Sequence, residues 1–220
     1  MLKVVFIRHF STYGNQLKRY IGVTDEELYE PAIPKLEQLS YPAVEEVFVS
    51  PLIRCRQTAA FIYPELVPTV CEDFKECNFG EFENKNYQEL SGHKKYQEWI
   101  DSGGTMAFPG GEEVSAFKSR CIMEFQKVIS YSIKKDCQAV ALVVHGGTIM
   151  SILEQYADTR QDYYYWQVEN GNGYIAEFEE LDRIDDLKGL NDLKELNSLS
   201  RLKGINRIEG RLINICNIHS

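Results

Sequence analysis

Three short, largely apolar segments constrain the fold of this chain more than any other feature of its sequence. They are Val4–Ile7, Val44–Val49 and Gln138–Val144. Each is too short for an ordinary helix and is rich in valine, which is typical of strands buried on both faces. Segments with helical character separate them, and strands that alternate with helices indicate a largely parallel sheet covered on both sides.

The clearest helical pattern follows the turn Pro109-Gly110-Gly111-Glu112. Apolar residues recur there at three- and four-residue spacing and form one stripe, namely Val114, Phe117, Cys121, Phe125, Val128 and Ile129. Shorter helices are predicted over residues 15–19, 30–39, 87–100 and 148–156 and up to Tyr63, with a late strand over Tyr174–Phe178. We therefore predict an α/β fold, a three-layer α/β/α sandwich with a mostly parallel sheet and an antiparallel edge strand. Residues 1–180 form its domain and residues 181–220 a C-terminal extension.

The residues that follow the three strands are suited to phosphate chemistry. Arg8 and His9 follow the first strand, Ser50 and Arg54 the second, and His145 the third. Because ligands bind beyond the carboxyl ends of strands in such sheets, we expect these groups to converge. Guanidinium groups can hold phosphate oxygens, and a neutral histidine can attack phosphorus. The glycine pair after the third strand lets backbone N–H groups approach a phosphate at a helix N-terminus.

A leaving group also needs an acid, and the loop over residues 72–83 supplies several carboxyl groups. A carboxyl group near a phosphate has its pKa raised by repulsion between like charges, which suits a proton donor. Glu76, Glu81 and Glu83 all qualify, and physical reasoning from the residues does not separate them.

Four motifs in this chain resemble those of the histidine phosphatases, also called the phosphoglycerate mutase-like superfamily. They are Arg8-His9-x-x-Thr12-x-x-Asn15, Ser50-Pro51-Leu52-x-Arg54-x-x-Gln57-Thr58-Ala59, Glu76-x-x-Phe79-Gly80-x-Phe82-Glu83 and His145-Gly146-Gly147. The resemblance covers residues 2–178, and the four motifs together are specific although each alone is weak.

The resemblance implies a role for each matched residue. His9 is the nucleophile and becomes phosphohistidine, while Glu76 is the proton donor and then the base for the incoming water. The resemblance also implies a phosphate pocket formed by Arg8, Asn15, Arg54 and His145. Thr12, Gly22 and Gly146 are implied as further substrate contacts. The implied substrate is a small phosphorylated metabolite, and the resemblance implies neither a metal ion nor a cofactor.

Some positions depart from the family pattern. Phe10 stands where the family usually has glycine, and Asn84 replaces a common glycine after Glu83. Ile21 precedes Gly22 where glutamine is frequent, which bears on the substrate.

Within the family, the short loop over residues 19–25 and the Pro-Gly-Gly-Glu turn are similar to bacterial α-ribazole phosphatases, which act in cobalamin assembly. The segment over residues 84–108 is shorter than the insertion of phosphoglycerate mutases, so hydrolysis is favoured over mutase-type phosphoryl transfer. A non-catalytic phospholigand-binding protein is the alternative from another class.

The composition of the chain limits the binding partners and the cellular location that we expect. The net charge of −9 argues against nucleic acid or an anionic membrane as the main partner. The six scattered cysteines fit reduced thiols, and the sequence shows no leader and no apolar run long enough for a membrane span, so we expect a cytoplasmic protein. Solvent positions are expected for His93, His219 and Arg56, and core or edge packing for the aromatic run Tyr163–Trp166.

The C-terminal part carries an aliphatic residue at every third position from Leu187 to Ile208. On a helix of 3.6 residues per turn such a repeat circles the axis, so one long amphipathic helix is not expected. The repeat should pack on the domain or on a second copy of the chain, which would make a homodimer. Arg211–Ile215 alternates in part and is predicted to return as a strand beside Tyr174–Phe178.

Overall fold

The computed structural model describes residues 1–33, 39–181 and 208–219, and its centre is a six-stranded sheet. The strands are β1 (Leu2–Arg8), β2 (Glu46–Val49), β3 (Thr69–Val70), β4 (Ala139–Val144), β5 (Gly173–Glu180) and β6 (Gly210–Asn217). Their order across the sheet is β3-β2-β4-β1-β5-β6. The pairings among β3, β2, β4 and β1 are parallel, whereas β5 runs antiparallel to both β1 and β6.

The α-helices lie between these strands along the chain. They are α1 (Tyr13–Gln16), α2 (Ile53–Ile62), α3 (Lys94–Asp101), α4 (Val114–Lys134) and α5 (Gly146–Tyr156). Single turns of 3₁₀ helix occur at Glu30–Ala32, Glu72–Phe74, Gly80–Phe82 and Tyr163–Trp166. Within the described residues, no helix is both long enough and apolar enough to cross a membrane.

The alternation of side chains along the strands fills two cores, one on each face of the sheet. On one face, Val5, Ile7, Val47, Val49, Ala141 and Val143 pack against Cys55 and Ala59 of α2. On the other, Val4, Phe6, Phe48, Val140, Leu142 and Val144 pack against Phe125, Val128 and Ile129 of α4 and Ile149 of α5. Helices therefore cover both faces, and the predicted three-layer α/β/α architecture is confirmed.

A third apolar cluster lies apart from the sheet and is dominated by aromatic side chains. Its buried members are Cys77, Phe82, Leu90, Trp99, Phe108, Phe117 and Cys121. The cluster joins the acid-bearing loop to α3 and α4, so that loop is packed and not free on the surface.

Several predicted elements differ in extent from those observed, and the helix expected over 15–19 is observed as α1 (Tyr13–Gln16). The helix expected over 87–100 is confined to α3, because Gly92 adopts a left-handed φ of 81° that no α-helix accepts. The helix expected from residue 148 begins at Gly146, two residues nearer the strand. Within 30–39, the turn Glu30–Ala32 and the helical residue Ile33 are observed, and residues 34–38 lie outside the described residues.

The predicted C-terminal strand is confirmed, since β6 pairs with β5 along the sheet edge. Most of the aliphatic repeat over 187–208 lies outside the described residues. The division of the chain at residue 180 and the homodimer stay predictions.

Candidate active site

The sheet order brings the predicted chemical groups together. Strand β4 lies between β1 and β2 and is parallel to both, so the residues that follow all three strands meet at one edge. The His9 N–H donates to the Val144 carbonyl at 2.9 Å, and the Ser50 N–H to the Val143 carbonyl at 3.2 Å. The imidazole rings of His9 and His145 lie edge to face, with 5.1 Å between their centroids.

His9 is buried and its ring is held in one tautomer. Nδ1 lies 2.7 Å from the Phe10 carbonyl oxygen, which can only accept a hydrogen bond. Nδ1 therefore carries the proton, and Nε2 keeps a lone pair. Burial, followed by the positive charges of Arg54 and Arg8, lowers the pKa of His9 well below its usual value. The ring is thus neutral at physiological pH, as a nucleophile must be.

Two arginines supply the positive charge of the site. Arg54 is completely buried and donates to the carbonyls of Thr24 and Gly22, both at 2.8 Å. Arg8 donates to the Val168 carbonyl at 2.6 Å. Within the described part of the chain, the buried Nε atoms of Arg8 and Arg54 have no hydrogen-bond partner. These unsatisfied N–H groups, on the buried Arg54 and the partly buried Arg8, favour an anion such as phosphate.

His145 is also completely buried. Its Nε2 lies 2.7 Å from the Ser50 hydroxyl, and the Cys55 sulfur lies 3.5 Å from the same nitrogen. Burial, followed by the positive charges of Arg54 and Arg8, lowers the pKa of His145 well below its usual value. Both histidines are therefore neutral, and the cations of the site are the guanidinium groups.

Glu76 is the carboxyl group that lies with these residues. Its Oε1 accepts from the Cys77 N–H at 2.9 Å, and its Oε2 accepts from the Gly147 N–H at 3.3 Å, beside His145. Burial raises its pKa, although the two amides and the charges of Arg54 and Arg8 oppose the rise. A buried carboxyl group with a raised pKa can hold a proton to deliver.

The other two candidate acids, Glu81 and Glu83, form interactions away from the two histidines. Glu81 is exposed and forms an ion pair with Lys95 at 2.6 Å. Glu83 accepts hydrogen bonds from the Gly22 N–H at 2.8 Å and the Thr24 N–H at 2.9 Å. Glu83 thereby fixes the loop whose carbonyls hold Arg54. Glu76, in contrast, accepts from Gly147, two residues after His145.

The remaining predicted substrate contacts belong to the framework of the site. Thr12 caps α1 and exchanges hydrogen bonds with Asn15 in a capping box. The Asn15 side chain also accepts from Asn170 at 3.3 Å. The Gly22 N–H donates to the Glu83 carboxylate. Gly146 is the first residue of α5, and a Cβ atom built on it would lie 3.5 Å from Arg8 Nε. Direct contacts of these residues with a substrate stay predictions.

Two residues that hold the backbone around His9 were not predicted from the sequence. Thr58 connects Phe10 to α2 through its hydroxyl, and Asn170 donates to the His9 carbonyl at 2.9 Å. Thr58 belongs to the second motif, which was its only signal, while Asn170 lies 161 positions from His9 in sequence.

The departures from the family pattern are accommodated. The Phe10 ring packs against Phe61 and Tyr41, with centroids 5.5 and 6.4 Å away. Asn84 adopts a left-handed φ of 57°, a conformation that glycine favours and asparagine tolerates.

The expected surface positions are observed with one qualification. His93 and Arg56 are exposed, but the exposed His219 ring packs against Tyr41 with centroids 5.3 Å apart. In the aromatic run, Trp166 is core and the Tyr163 hydroxyl donates to the Gly147 carbonyl at 3.3 Å. Tyr164 and Tyr165 are exposed, so the expected core packing is wrong for these two.

Solved structures of similar fold include two enzymes. An alpha-ribazole phosphatase from Shigella flexneri has a TM-score of 0.69 at 19% identity, over 81% of this chain and 91% of that one. A phosphoglycerate mutase from Thermus thermophilus has a TM-score of 0.61 at 24% identity, over 80% of this chain and 93% of that one. At these identities the likeness establishes the fold.

No curated protein matches the chain in sequence. The model of the histidine phosphatase superfamily (branch 1), however, matches residues 4–192, which include both histidines, both arginines and Glu76. Over that span the chain has the sheet and the strand-end motifs that the sequence predicted, and it belongs to the histidine phosphatase superfamily.

Proposed function

We propose that the protein is a phosphomonoesterase that acts through a phosphohistidine intermediate on a small phosphorylated metabolite. The observation that carries the proposal is the tautomer of His9. The Phe10 carbonyl fixes the proton on Nδ1 and leaves a lone pair on Nε2, in a ring whose pKa is lowered by burial and by the charges of Arg54 and Arg8.

The reaction has two steps. Nε2 of His9 attacks phosphorus while the bond to the leaving oxygen breaks, and the Glu76 carboxyl group gives that oxygen its proton. Water then attacks the phosphohistidine, its proton passes to the Glu76 carboxylate, and the P–N bond breaks to release phosphate. Arg8, Arg54 and His145 hold the phosphoryl oxygens throughout. No step requires a metal ion.

Hydrolysis is favoured over mutase-type transfer by the segment over residues 84–108. A mutase must hold a second anionic group of its substrate, which requires a further cation. The segment contains no arginine. Its three lysines are engaged at the surface, since Lys85 donates to the Glu81 carbonyl, Lys94 pairs with Glu98 and Lys95 pairs with Glu81.

As a natural substrate we propose α-ribazole phosphate. The similarity in fold to the alpha-ribazole phosphatase from Shigella flexneri and the short loop over residues 19–25 support this choice. A panel of phosphorylated metabolites that includes α-ribazole phosphate and phosphoglycerates, assayed with purified protein, tests it.

The phosphohistidine is tested with p-nitrophenyl phosphate. Wild type is expected to hydrolyse this ester in the presence of EDTA and to trap acid-labile radioactive phosphate on quenching. His9→Ala should abolish turnover and trapping together, whereas His93→Ala, which changes an exposed histidine, should retain both. An active His9→Ala variant would refute the mechanism, and an inactive wild type that binds phosphate would favour a phospholigand-binding protein.

A further inference from the structure

Arg120 of α4 donates three hydrogen bonds to the backbone of the segment that carries Glu76 and two to the Glu112 carboxylate. Its Nη1 donates to the carbonyls of Asp73 at 2.7 Å and Lys75 at 2.6 Å, and its Nη2 donates to the Glu76 carbonyl at 3.1 Å. Its Nε and Nη2 donate to the two carboxylate oxygens of Glu112 at 2.8 and 2.9 Å. A guanidinium group has five N–H donors, and all five are used here.

Glu112 binds the backbone on the C-terminal side of Glu76, and Arg120 and Glu112 together are called the clamp below. Its carboxylate accepts from the Asn78 N–H at 3.4 Å, and its own N–H donates to the Asn78 carbonyl at 2.9 Å. The backbone is therefore held before Glu76 by Arg120 and after Glu76 by Glu112.

The clamp joins a rigid base to an irregular stretch of backbone. Helix α4 is 21 residues long and packs on the sheet, whereas residues 75–79 have no regular secondary structure. The Arg120 guanidinium also lies 4.9 Å from the Phe117 ring, which packs against Gly147 so closely that a Cβ atom there would collide with it. Gly147 is the second amide partner of the Glu76 carboxylate.

We infer that Arg120 and Glu112 are positioning residues that set the reach of the Glu76 carboxyl group toward the leaving oxygen. The inference rests on the proposed phosphatase function. A general acid works only within hydrogen-bond distance of the atom it protonates, so a small shift of this backbone removes acid catalysis while leaving the phosphate pocket intact.

The test is Arg120→Lys, which keeps the charge but replaces the five-donor fork with a single ammonium group. We expect kcat/KM for 2-glycerophosphate, whose alkoxide needs a proton, to fall about tenfold or more. For p-nitrophenyl phosphate, whose leaving group needs none, the change should stay below about threefold. The ratio kcat/KM is used because it reports on leaving-group departure and not on later hydrolysis of the phosphoenzyme.

A matched control is Arg19→Lys. Arg19 also bridges two segments, donating to Glu89 at 2.8 Å and Asn84 at 3.2 Å, but it makes no contact with the Glu76 segment. Both esters should be affected equally in this variant. If Arg120→Lys does not fold, Glu112→Gln, which removes the charge at the centre of the clamp, is assayed in the same way.

Combination with Glu76→Gln separates positioning from a general structural effect. Once the acid is absent, Arg120→Lys should cause no further selective loss on 2-glycerophosphate. An equal loss on both esters, or a selective loss that persists in the double variant, overturns the inference. Turnover of p-nitrophenyl phosphate by wild type tests the phosphatase function independently, so the two failures are distinguishable.

Discussion

The hydroxyl of Thr58 accepts a hydrogen bond from the Phe10 N–H at 2.9 Å. The same hydroxyl donates to the Arg54 carbonyl at 2.7 Å, and all three residues are buried. Because the Phe10 carbonyl fixes the His9 tautomer, Thr58 connects the helix that carries Arg54 to the orientation of the proposed nucleophile, His9.

Replacement of Thr58 should therefore affect catalysis through His9. Thr58→Val keeps the shape but leaves the Phe10 N–H buried without a partner, at a cost of about 1–3 kcal/mol in the free energy of unfolding. We expect kcat/KM for p-nitrophenyl phosphate to fall about tenfold, since a misplaced nucleophile loses rate steeply. Thr58→Ser, which keeps the hydroxyl, should retain most of the rate. Equal rates for the two variants would show that the hydroxyl does not orient His9.

The role of Glu76 gives a prediction that does not depend on its neighbours. Glu76→Gln keeps the size of the side chain, but it has no acidic proton to give and only one oxygen to accept from the Cys77 and Gly147 N–H groups. Hydrolysis of an alkyl phosphate should suffer about a hundredfold loss in kcat/KM and p-nitrophenyl phosphate much less. Glu81→Gln is the control, because Glu81 lies on the surface in an ion pair with Lys95. Equal damage to both esters by Glu76→Gln would assign Glu76 a purely structural role.

The buried histidines predict how stability depends on pH. Burial and the arginines depress the pKa of His9 and His145 in the folded state, so the unfolded chain binds their protons first as pH falls below about 6.5. The free energy of unfolding is therefore unaffected by these two histidines above that pH. Below it, the free energy of unfolding falls by about 1.4 kcal/mol per pH unit for each histidine. Glu76 acts in the opposite sense, because its pKa is raised on folding.

Chemical denaturation at pH 7.5, 6.0 and 5.0 measures this slope. Wild type should lose stability across the range, and His145→Gln should flatten the loss by about half. His93→Gln, an exposed substitution, serves as the control. A slope that does not change in His145→Gln would mean that His145 is charged in the folded protein.

The sequence was informative wherever local pattern and chemistry coincide. The apolar runs before His9 and His145 predicted buried parallel strands, and parallel strands place their carboxyl ends at one edge. The two histidines could therefore be brought together without a structure. The third strand end, at Ser50, followed from the same rule.

Contacts between distant loops could not be predicted in this way. Glu76, Glu81 and Glu83 occupy similar sequence surroundings. What separates them is their partners, since Gly147 lies 71 positions from Glu76 and Gly22 lies 61 positions from Glu83. Asn170 and Arg120 likewise act on backbone groups far along the chain. No periodicity encodes such pairs, because irregular backbone has no repeat that fixes which side chains meet.

The last prediction concerns the connection between β5 and β6. The Leu181 N–H donates to the Glu209 carbonyl at 3.0 Å, and Glu180 lies opposite Gly210 in the ladder, so the two ends of the connection are adjacent. Residues 183–207 can therefore be replaced by Asn-Gly, which closes a two-residue hairpin turn and keeps Ile208 packed on the core.

All the groups assigned to catalysis lie before residue 150, so the shortened chain should fold and hydrolyse p-nitrophenyl phosphate and phosphorylated metabolites at the wild-type rate, within about twofold. Circular dichroism, kcat/KM and solution mass are the measurements. A lower mass than wild type would assign the aliphatic repeat to a dimer contact, whereas an unchanged mass would place it on its own domain. A folded but inactive variant would show that the connection contributes to the site, and that residues 181–220 are not an appendage.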